Sequence, residues 1–213
     1  MRLHGWAFAL FVSAVAVACA DSTSTPSAQP SDSTNGSGTS TSADALAAER
    51  DAILFTREEE KLARDVYGAL TAQAHLFANI AVSEQQHMDQ IGQLIVTYGL
   101  TDPAAGKQPG EFTNATLQSL YDALVATGQT STLAALAVGV EIEELDIHDI
   151  SGSTVVHQDV ANVFANLTRG SRNHLRAFYA ELTSRGGSYV PKYLDQATFD
   201  AIVTSPVEHG PTG

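Results

Sequence analysis

Residues 79–98 read NIAVSEQQHMDQIGQLIVTY, and this stretch decides the fold. Its large apolar residues recur three and four positions apart, which predicts an amphipathic helix with one buried face. Glu84 and His87 share that face, so a carboxylate and an imidazole are predicted to be buried side by side. Burying these groups is costly unless something compensates them. A metal ion would do so directly, whereas a buried salt bridge or a misassigned helix face is the competing explanation.

The chain from about residue 44 onward shows helical periodicity almost throughout. Thr56 and Glu59 form a capping box, which predicts that the first long helix starts there. Gly99, with Pro103 just beyond it, predicts the end of the second helix. The predicted helices cover residues 57–73, 79–98, 114–127, 131–150 and 156–184, and the tail after them is predicted to pack irregularly.

A long connection separates the second predicted helix from the next long one. Residues 100–113 carry Gly and Pro at turn positions, and the short helix 114–127 follows them. Four long helices with one long crossover that carries an extra helix are typical of the ferritin-like branch of four-helix bundles. The sequence therefore predicts an all-α, ferritin-like four-helix bundle.

Other long helices also carry candidate metal ligands at inward positions. Glu60 lies two turns before Tyr67 on one face of the first helix, although a solvated acid of the first turn is the simpler explanation. His174 lies one heptad after Leu167 on the inner face of the last long helix. A lone histidine there is more often a core residue than a ligand.

Two neighbouring acids compete for the inward position on helix 131–150. A stripe from Leu133 to Ile147 includes Glu144, whereas Leu136 favours Glu143. We take Glu144 as the predicted ligand. The predicted metal ligands are therefore Glu60, Glu84, His87, Glu144 and His174, and Tyr67 is the candidate catalytic residue.

Four segments together resemble a known family. They are EEEKLARDVY at residues 58–67, SEQQHM at 83–88, EELDI at 143–147 and GSRNHLRAF at 170–178. They are similar to the bacterial ferritin-like proteins grouped as domain of unknown function family 2202, over about residues 50–205. The resemblance implies a ferritin-like fold but no particular reaction.

One position departs from the wider dinuclear pattern of ferritin-like proteins. That pattern has a second Glu-x-x-His on the last helix, whereas Ser171 stands three residues before His174 here. The remaining set of three glutamates and two histidines is similar to that of manganese catalases, which is an analogy about ligands alone. Asp146 is either a partner of these ligands or a surface residue.

The leading functional hypothesis is redox chemistry at a dinuclear iron or manganese centre, because carboxylate and imidazole ligands suit these metals. The partners would be metal ions with oxygen or peroxide, and the reaction would be ferrous oxidation or peroxide breakdown. A second hypothesis is a module that binds a metal or a partner without turnover. A third is a structural bundle whose inward acids pair with Arg64, Arg172 and Arg176.

The first residues indicate export and a lipid anchor. An apolar run too short to span a bilayer follows Arg2, which predicts a signal peptide over residues 1–18. Cys19 follows Ala-Val-Ala in a segment that resembles a bacterial lipobox, although an ordinary cleavage site is the alternative. Residues 19–43 are expected to form a lipidated, disordered tether, and residues 44–213 the folded domain. We expect an extracytoplasmic protein that meets the membrane through its lipid alone.

The composition limits the class of partner. The net charge is −13, from 11 basic against 24 acidic residues, which disfavours nucleic acid as a ligand because nucleic acid rewards clustered Lys and Arg. The chain has one cysteine, so it can form neither an internal disulfide nor a thiolate metal cluster. Oxygen and nitrogen atoms must therefore hold any metal.

Overall fold

The computed structural model describes residues 37–210, and the described chain is an all-α bundle. Its helices are α1 (Ser37–Ala69), α2 (His75–Thr97), α3 (Ala115–Gly128), α4 (Thr132–Gly152), α5 (Gln158–Ser184) and α6 (Gln196–Thr204). The predicted fold class is confirmed. Within this described part, no helix combines the length and apolar character needed to cross a membrane.

The four long helices form two closely packed pairs. α1 packs along α2, and α4 packs along α5. Further contacts join α1 to α4 and α2 to α5, which closes the bundle. α3 lies in the long connection between α2 and α4 and contacts both α1 and α4, as the predicted crossover with an extra helix requires.

The first helix begins much earlier than its capping box predicts. α1 starts at Ser37, inside the segment expected to be a tether, and Thr56 is buried within the helix. Residues 44–54 include four Ala and two Leu together with Glu49 and Arg50, residue types that favour helix strongly enough to continue it through Thr56. The predicted signal peptide, Cys19 and the rest of the tether lie outside the described residues.

The other boundaries follow the predictions more closely. Asn114 and Ser131 cap α3 and α4 by accepting backbone N–H groups of the first turn. Gly99 has a φ of 62° just after α2, which is the left-handed stop that the sequence indicates. The tail prediction is wrong in one respect, because Asp195 caps a regular helix, α6.

The apolar core is divided in two. One cluster contains Leu62 of α1 and Phe178 of α5, whereas the other contains Ile53 of α1 and Leu167 of α5. On α1, α2 and α5, buried polar residues stand in the chain between members of the two clusters, and the buried acids of α4 precede Ile150 of the second cluster by one to two turns. The bundle thus contains a polar layer between two apolar layers.

Two buried acids of α1 hold connections between helices. Glu49 of α1 accepts the backbone N–H groups of Val156 and His157 at 2.5 and 2.7 Å, just before α5. Glu58 lies in the middle of α1 and accepts the N–H groups of residues 113 and 114 before α3. Backbone donors therefore compensate the burial of these carboxylates.

Glu208 fixes the C-terminal segment against α5. Its carboxylate contacts the guanidinium groups of Arg172 and Arg176, each at 2.7 Å. Arg176 also donates to the carbonyl oxygen of Ile202. Hydrogen bonds from Arg172 and then Arg176 lower the pKa of Glu208 to about 2, against a smaller effect of burial.

We predict that Glu208→Gln lowers stability in a pH-dependent way. Since the pKa of Glu208 is depressed in the folded state, its contribution to stability is complete above the ordinary pKa of 4.5 and disappears as the pH falls towards about 2. The difference in urea midpoint between wild type and variant should therefore be largest near pH 7 and shrink below pH 4.5. A difference that stays constant from pH 7 to pH 2.5 would contradict this ion pair.

Candidate metal centre

Five side chains in the polar layer form two overlapping groups of potential metal ligands. The Glu60 group consists of Glu60, Glu84 and His87, and the Glu143 group consists of Glu84, Glu143 and His174. In each group one ligand atom from every residue lies within 4.8 Å of the others. Glu84 belongs to both groups, so its carboxylate lies between the two candidate positions.

The imidazoles face the carboxylates in the same way in both groups. His87 Nδ1 lies 2.8 Å from Glu84 Oε2 and 3.2 Å from Glu60 Oε2. His174 Nδ1 lies 2.7 Å from Glu84 Oε1 and 3.5 Å from Glu143 Oε2. Each Nδ1 atom therefore faces two carboxylate oxygens from different helices, whereas one N–H group can be aligned with only one of them.

Three buried atoms of the centre lack a hydrogen-bond partner: Glu60 Oε1, Glu84 Oε1 and His174 Nδ1. Two of these atoms are only 2.7 Å apart, so the His174 N–H direction is not aligned with the Glu84 oxygen. Ligand atoms on one ion are about 3 Å apart when adjacent, given metal–ligand bonds of about 2.1 Å. The spacing and the missing hydrogen bond both suit a shared cation.

Without a metal the centre would redistribute protons. Burial would lower the pKa of His87, but the Glu60 carboxylate, followed by Glu84, raises it to about 11. Burial likewise opposes the Glu143 and Glu84 carboxylates, which raise the pKa of His174 to about 10. Protonated imidazoles thus supply the positive charge that a metal would bring, and metal binding must release those protons.

The carboxylates respond unequally to this environment. Burial, together with the charge of Asp146, raises the pKa of Glu60 well above its ordinary value. Burial and the charge of Glu84 raise the pKa of Glu143 to about 8. The two histidines outweigh burial at Glu84 and lower its pKa. The shared carboxylate is therefore the one held in its charged form.

The arginines that could neutralise these acids are engaged elsewhere. Arg64 donates to Asp65 and Gln85, while Arg172 and Arg176 bind Glu208. Among the described residues, no Lys or Arg forms an ion pair with the two ligand groups. The structural-bundle hypothesis therefore lacks the ion pairs on which it depends.

Comparisons with known proteins bear out the resemblance. Residues 49–206 match the model of the uncharacterized protein domain DUF2202. The chain belongs to the DUF2202 family. Over 166 residues it is 40% identical to the uncharacterized protein MJ0754 of Methanocaldococcus jannaschii, covering 76% of this chain and 90% of that protein.

A solved structure of a relative has a similar fold. The crystal structure of the hypothetical protein MJ0754 from Methanococcus jannaschii superimposes with a TM-score of 0.73 at 36% sequence identity. The likeness covers 85% of this DUF2202 chain and all of the other. The name of this relative assigns no reaction to either protein.

The structure brings together four of the five ligands predicted for this DUF2202 protein and replaces the fifth. Glu60, Glu84, His87 and His174 meet in the two groups, whereas Glu144 points away from them. Glu144 instead accepts the Tyr189 hydroxyl at 2.6 Å and the backbone N–H groups of residues 192–194. Glu143 takes the inward position, because Glu144 is used to hold the tail.

Tyr67 lies next to the centre, as its spacing from Glu60 predicts. Its hydroxyl donates to Glu143 Oε1 at 2.6 Å, and its ring packs with those of Phe77 and Phe178. Burial, followed by the nearby Glu143 charge, raises the pKa of Tyr67 well above its ordinary value. Tyr67 is thus a neutral donor that fixes one oxygen of Glu143.

Gly170 makes room for a ligand of the centre. A Cβ atom on Gly170 would lie 2.5 Å from His87 Nε2, so the imidazole of α2 packs directly against the backbone of α5. The sequence indicates close packing at this mid-helix glycine. The structure identifies the packed group as His87.

Two further acids lie in this layer: Asp146, for which the sequence leaves both a partner of the ligands and a surface residue open, and Glu59, which the sequence does not indicate as a site residue. Asp146 accepts a hydrogen bond from Ser171, and Glu59 is buried near Asp149. Burial, followed by the charge of Asp149, raises the pKa of Glu59 well above its ordinary value. The capping-box interpretation of Glu59 concealed its burial.

We predict that Gly170→Ala displaces His87 and lowers the free energy of unfolding. The added methyl group would overlap the imidazole, and overpacking of this kind costs about 1–3 kcal/mol. Gly92→Ala is the control, because its Cβ would meet Arg57 at an ordinary 3.5 Å and the change should be neutral or stabilising by up to about 1 kcal/mol. Urea denaturation of both variants tests this difference, and equal stabilities would contradict it.

Proposed function

We propose that this protein binds two metal ions, iron or manganese, in the polar layer of its bundle and uses them in redox chemistry with oxygen or peroxide. The described residues include two groups of carboxylates and histidines that could hold a metal.

One observation carries the proposal. The Glu84 carboxylate is common to both groups, and its Oε1 atom lies 2.7 Å from His174 Nδ1 without a hydrogen bond. Burying a charged side chain without a compensating partner costs several kcal/mol. Proteins retain such buried groups where a ligand compensates them. Two cations, one on each side of the Glu84 carboxylate, would compensate all three atoms that lack a hydrogen-bond partner.

The donor set favours iron or manganese. Each group offers two carboxylates and one imidazole, and no thiolate is available in the described residues. Such mixed oxygen and nitrogen sets suit redox-active divalent ions of the first row. These ions supply one-electron steps, by which ferrous iron is oxidised by dioxygen or hydrogen peroxide is converted to dioxygen and water.

The residues of the chain have separable roles in this proposal. Glu60 and Glu143 would each bind one ion and balance its charge, while Glu84 would bridge both. His87 and His174 would bind as neutral imidazoles after losing their protons. Tyr67, the catalytic candidate, would orient Glu143 through its hydroxyl.

The second candidate function is metal binding without turnover. Ser171 occupies the position at which a second Glu-x-x-His would supply another carboxylate, so this centre has fewer ligands than a symmetric one. A protein that only sequesters a metal, or presents it to a partner, needs no coordination position for an oxidant. Turnover assays therefore separate the two candidates after metal content is known.

We predict that metal content depends on Glu84 and Glu143 but not on Glu144. Full-length protein purified without a metal-binding tag, then loaded anaerobically, should hold about two iron or manganese ions per chain. Glu84→Gln should lose both ions, and Glu143→Gln should lose one, because it leaves the Glu60 group intact. Elemental analysis of each variant gives the stoichiometry.

Glu144→Gln is the matched control for this experiment. It removes the same charge from the next position of α4, where the carboxylate binds the tail instead of the centre. It should lower thermal stability and keep both ions. A wild-type protein that takes up neither metal would refute the proposal, as would a Glu144→Gln variant that loses metal as completely as Glu143→Gln.

We also propose that the protein is tethered outside the cytoplasm through a lipid on Cys19, on the basis of its N-terminal sequence. When the gene is expressed in a bacterium, wild-type protein should be recovered with membranes and should incorporate labelled palmitate. Cys19→Ser should lose the label and appear in the soluble extracytoplasmic fraction. Recovery of unlabelled wild type in the soluble fraction would contradict the anchor.

A further inference from the structure

Ser171 and His174 repeat the spacing of Glu84 and His87. In both pairs the partner stands three positions before the histidine, on the same helix face. Glu84 reaches the imidazole that follows it, whereas the hydroxyl of Ser171 is neutral and brings no charge to the centre. Ser171 is nevertheless only 1% exposed and donates its hydroxyl hydrogen to a carboxylate oxygen, Asp146 Oδ2.

Asp146 lies on α4, one turn after Glu143, and is 8% exposed. Among the described residues, Ser171 is the one hydrogen-bond donor to it, and no Lys or Arg pairs with it. A buried aspartate with one neutral donor is undercompensated, as are the ligand atoms of the centre.

Charged groups from every neighbouring helix act on Asp146. After burial, the charge of Asp146 contributes to raising the pKa of Glu60 and of Glu59 on α1. Burial, and after it the Glu84 charge on α2, raises the pKa of Asp146 itself. His87 and His174 act on it in the opposite direction. Its position one turn after Glu143, and its bond to Ser171 one turn before His174, place buried Asp146 beside the centre, although its oxygens are not among the atoms of the two ligand groups.

The count of charges in the occupied centre indicates a role for the Asp146 carboxylate. Two divalent ions bring four positive charges, while Glu60, Glu84 and Glu143 bring three negative charges and the imidazoles bind as neutral groups. A buried centre with net charge is costly in a medium of low polarity. One more carboxylate makes the divalent state neutral.

We propose that Asp146, held by Ser171, supplies the fourth negative charge of the metal centre, from α4 in place of the carboxylate that α5 lacks. This inference rests on the proposed function. Asp146, which lies beside the ligands, would thus provide the charge that favours binding of the second ion.

The test is anaerobic titration of the purified full chain with Mn²⁺ alone. Asp146→Asn preserves the shape and the bond with Ser171 but removes the charge, so it should weaken binding of the second ion at least about tenfold. Ser171→Ala should weaken it less. Asp89→Asn removes the same charge from an exposed position on α2 and should bind both ions as the wild type does.

Two further readouts separate a charge role from a structural one. The metal-free Asp146→Asn variant should melt at or above the wild-type temperature, because a buried charge near other acids has been removed. Adding Ser171→Glu to Asp146→Asn returns a carboxylate to α5 and should restore affinity for the second ion.

Wild-type affinity for both ions in Asp146→Asn would overturn this inference and leave the proposed function standing. A metal-free Asp146→Asn that is destabilised, with no recovery on adding Ser171→Glu, would also overturn it, since Asp146 would then be structural. Failure of the wild type to bind Mn²⁺ or iron would instead refute the proposed function itself.

Discussion

The burial of carboxylates in a helical core is the constraint on which this structure depends. A buried carboxylate needs donors, a countercharge or a proton. Glu49, Glu58 and Glu144 receive backbone N–H groups from connections between helices. Among the residues that the structure describes, Glu60 and Glu84 receive none, and the close partners of both are imidazoles. The first kind of acid fixes the fold, and the second kind defines the candidate centre.

This division explains which parts of the site were predictable from sequence. Glu84, His87 and His174 were found because each replaces an apolar residue in a helical stripe, and periodicity reports that directly. Glu143 and Glu144 could not be separated in this way, since both are buried, at 2% and 0% exposure. What distinguishes them is a set of tail donors about fifty residues away in the chain, which no local pattern reveals.

The same reasoning accounts for the successes and failures of the fold prediction. Helix ends with strong local signals were placed correctly, as at Asn114, Ser131 and Gly99. The capping signal at Thr56 does not mark the start of α1, because the preceding residues favour helix and continue it through Thr56. A capping box is decisive only where the chain before it cannot continue the helix, and here tertiary burial of Glu49 and Ile53 extends it.

The two ligand groups are not equivalent in their dependence on the fold. All members of the Glu60 group come from the closely packed pair α1 and α2, so that pair alone brings them together. The Glu143 group combines Glu84 of α2 with residues of α4 and α5, and it exists only when the two helix pairs are docked. A cation in the Glu143 group would therefore link the two helix pairs within the polar layer, where apolar packing is interrupted. The shared position of Glu84 makes one carboxylate serve both the local group and the group that spans the bundle.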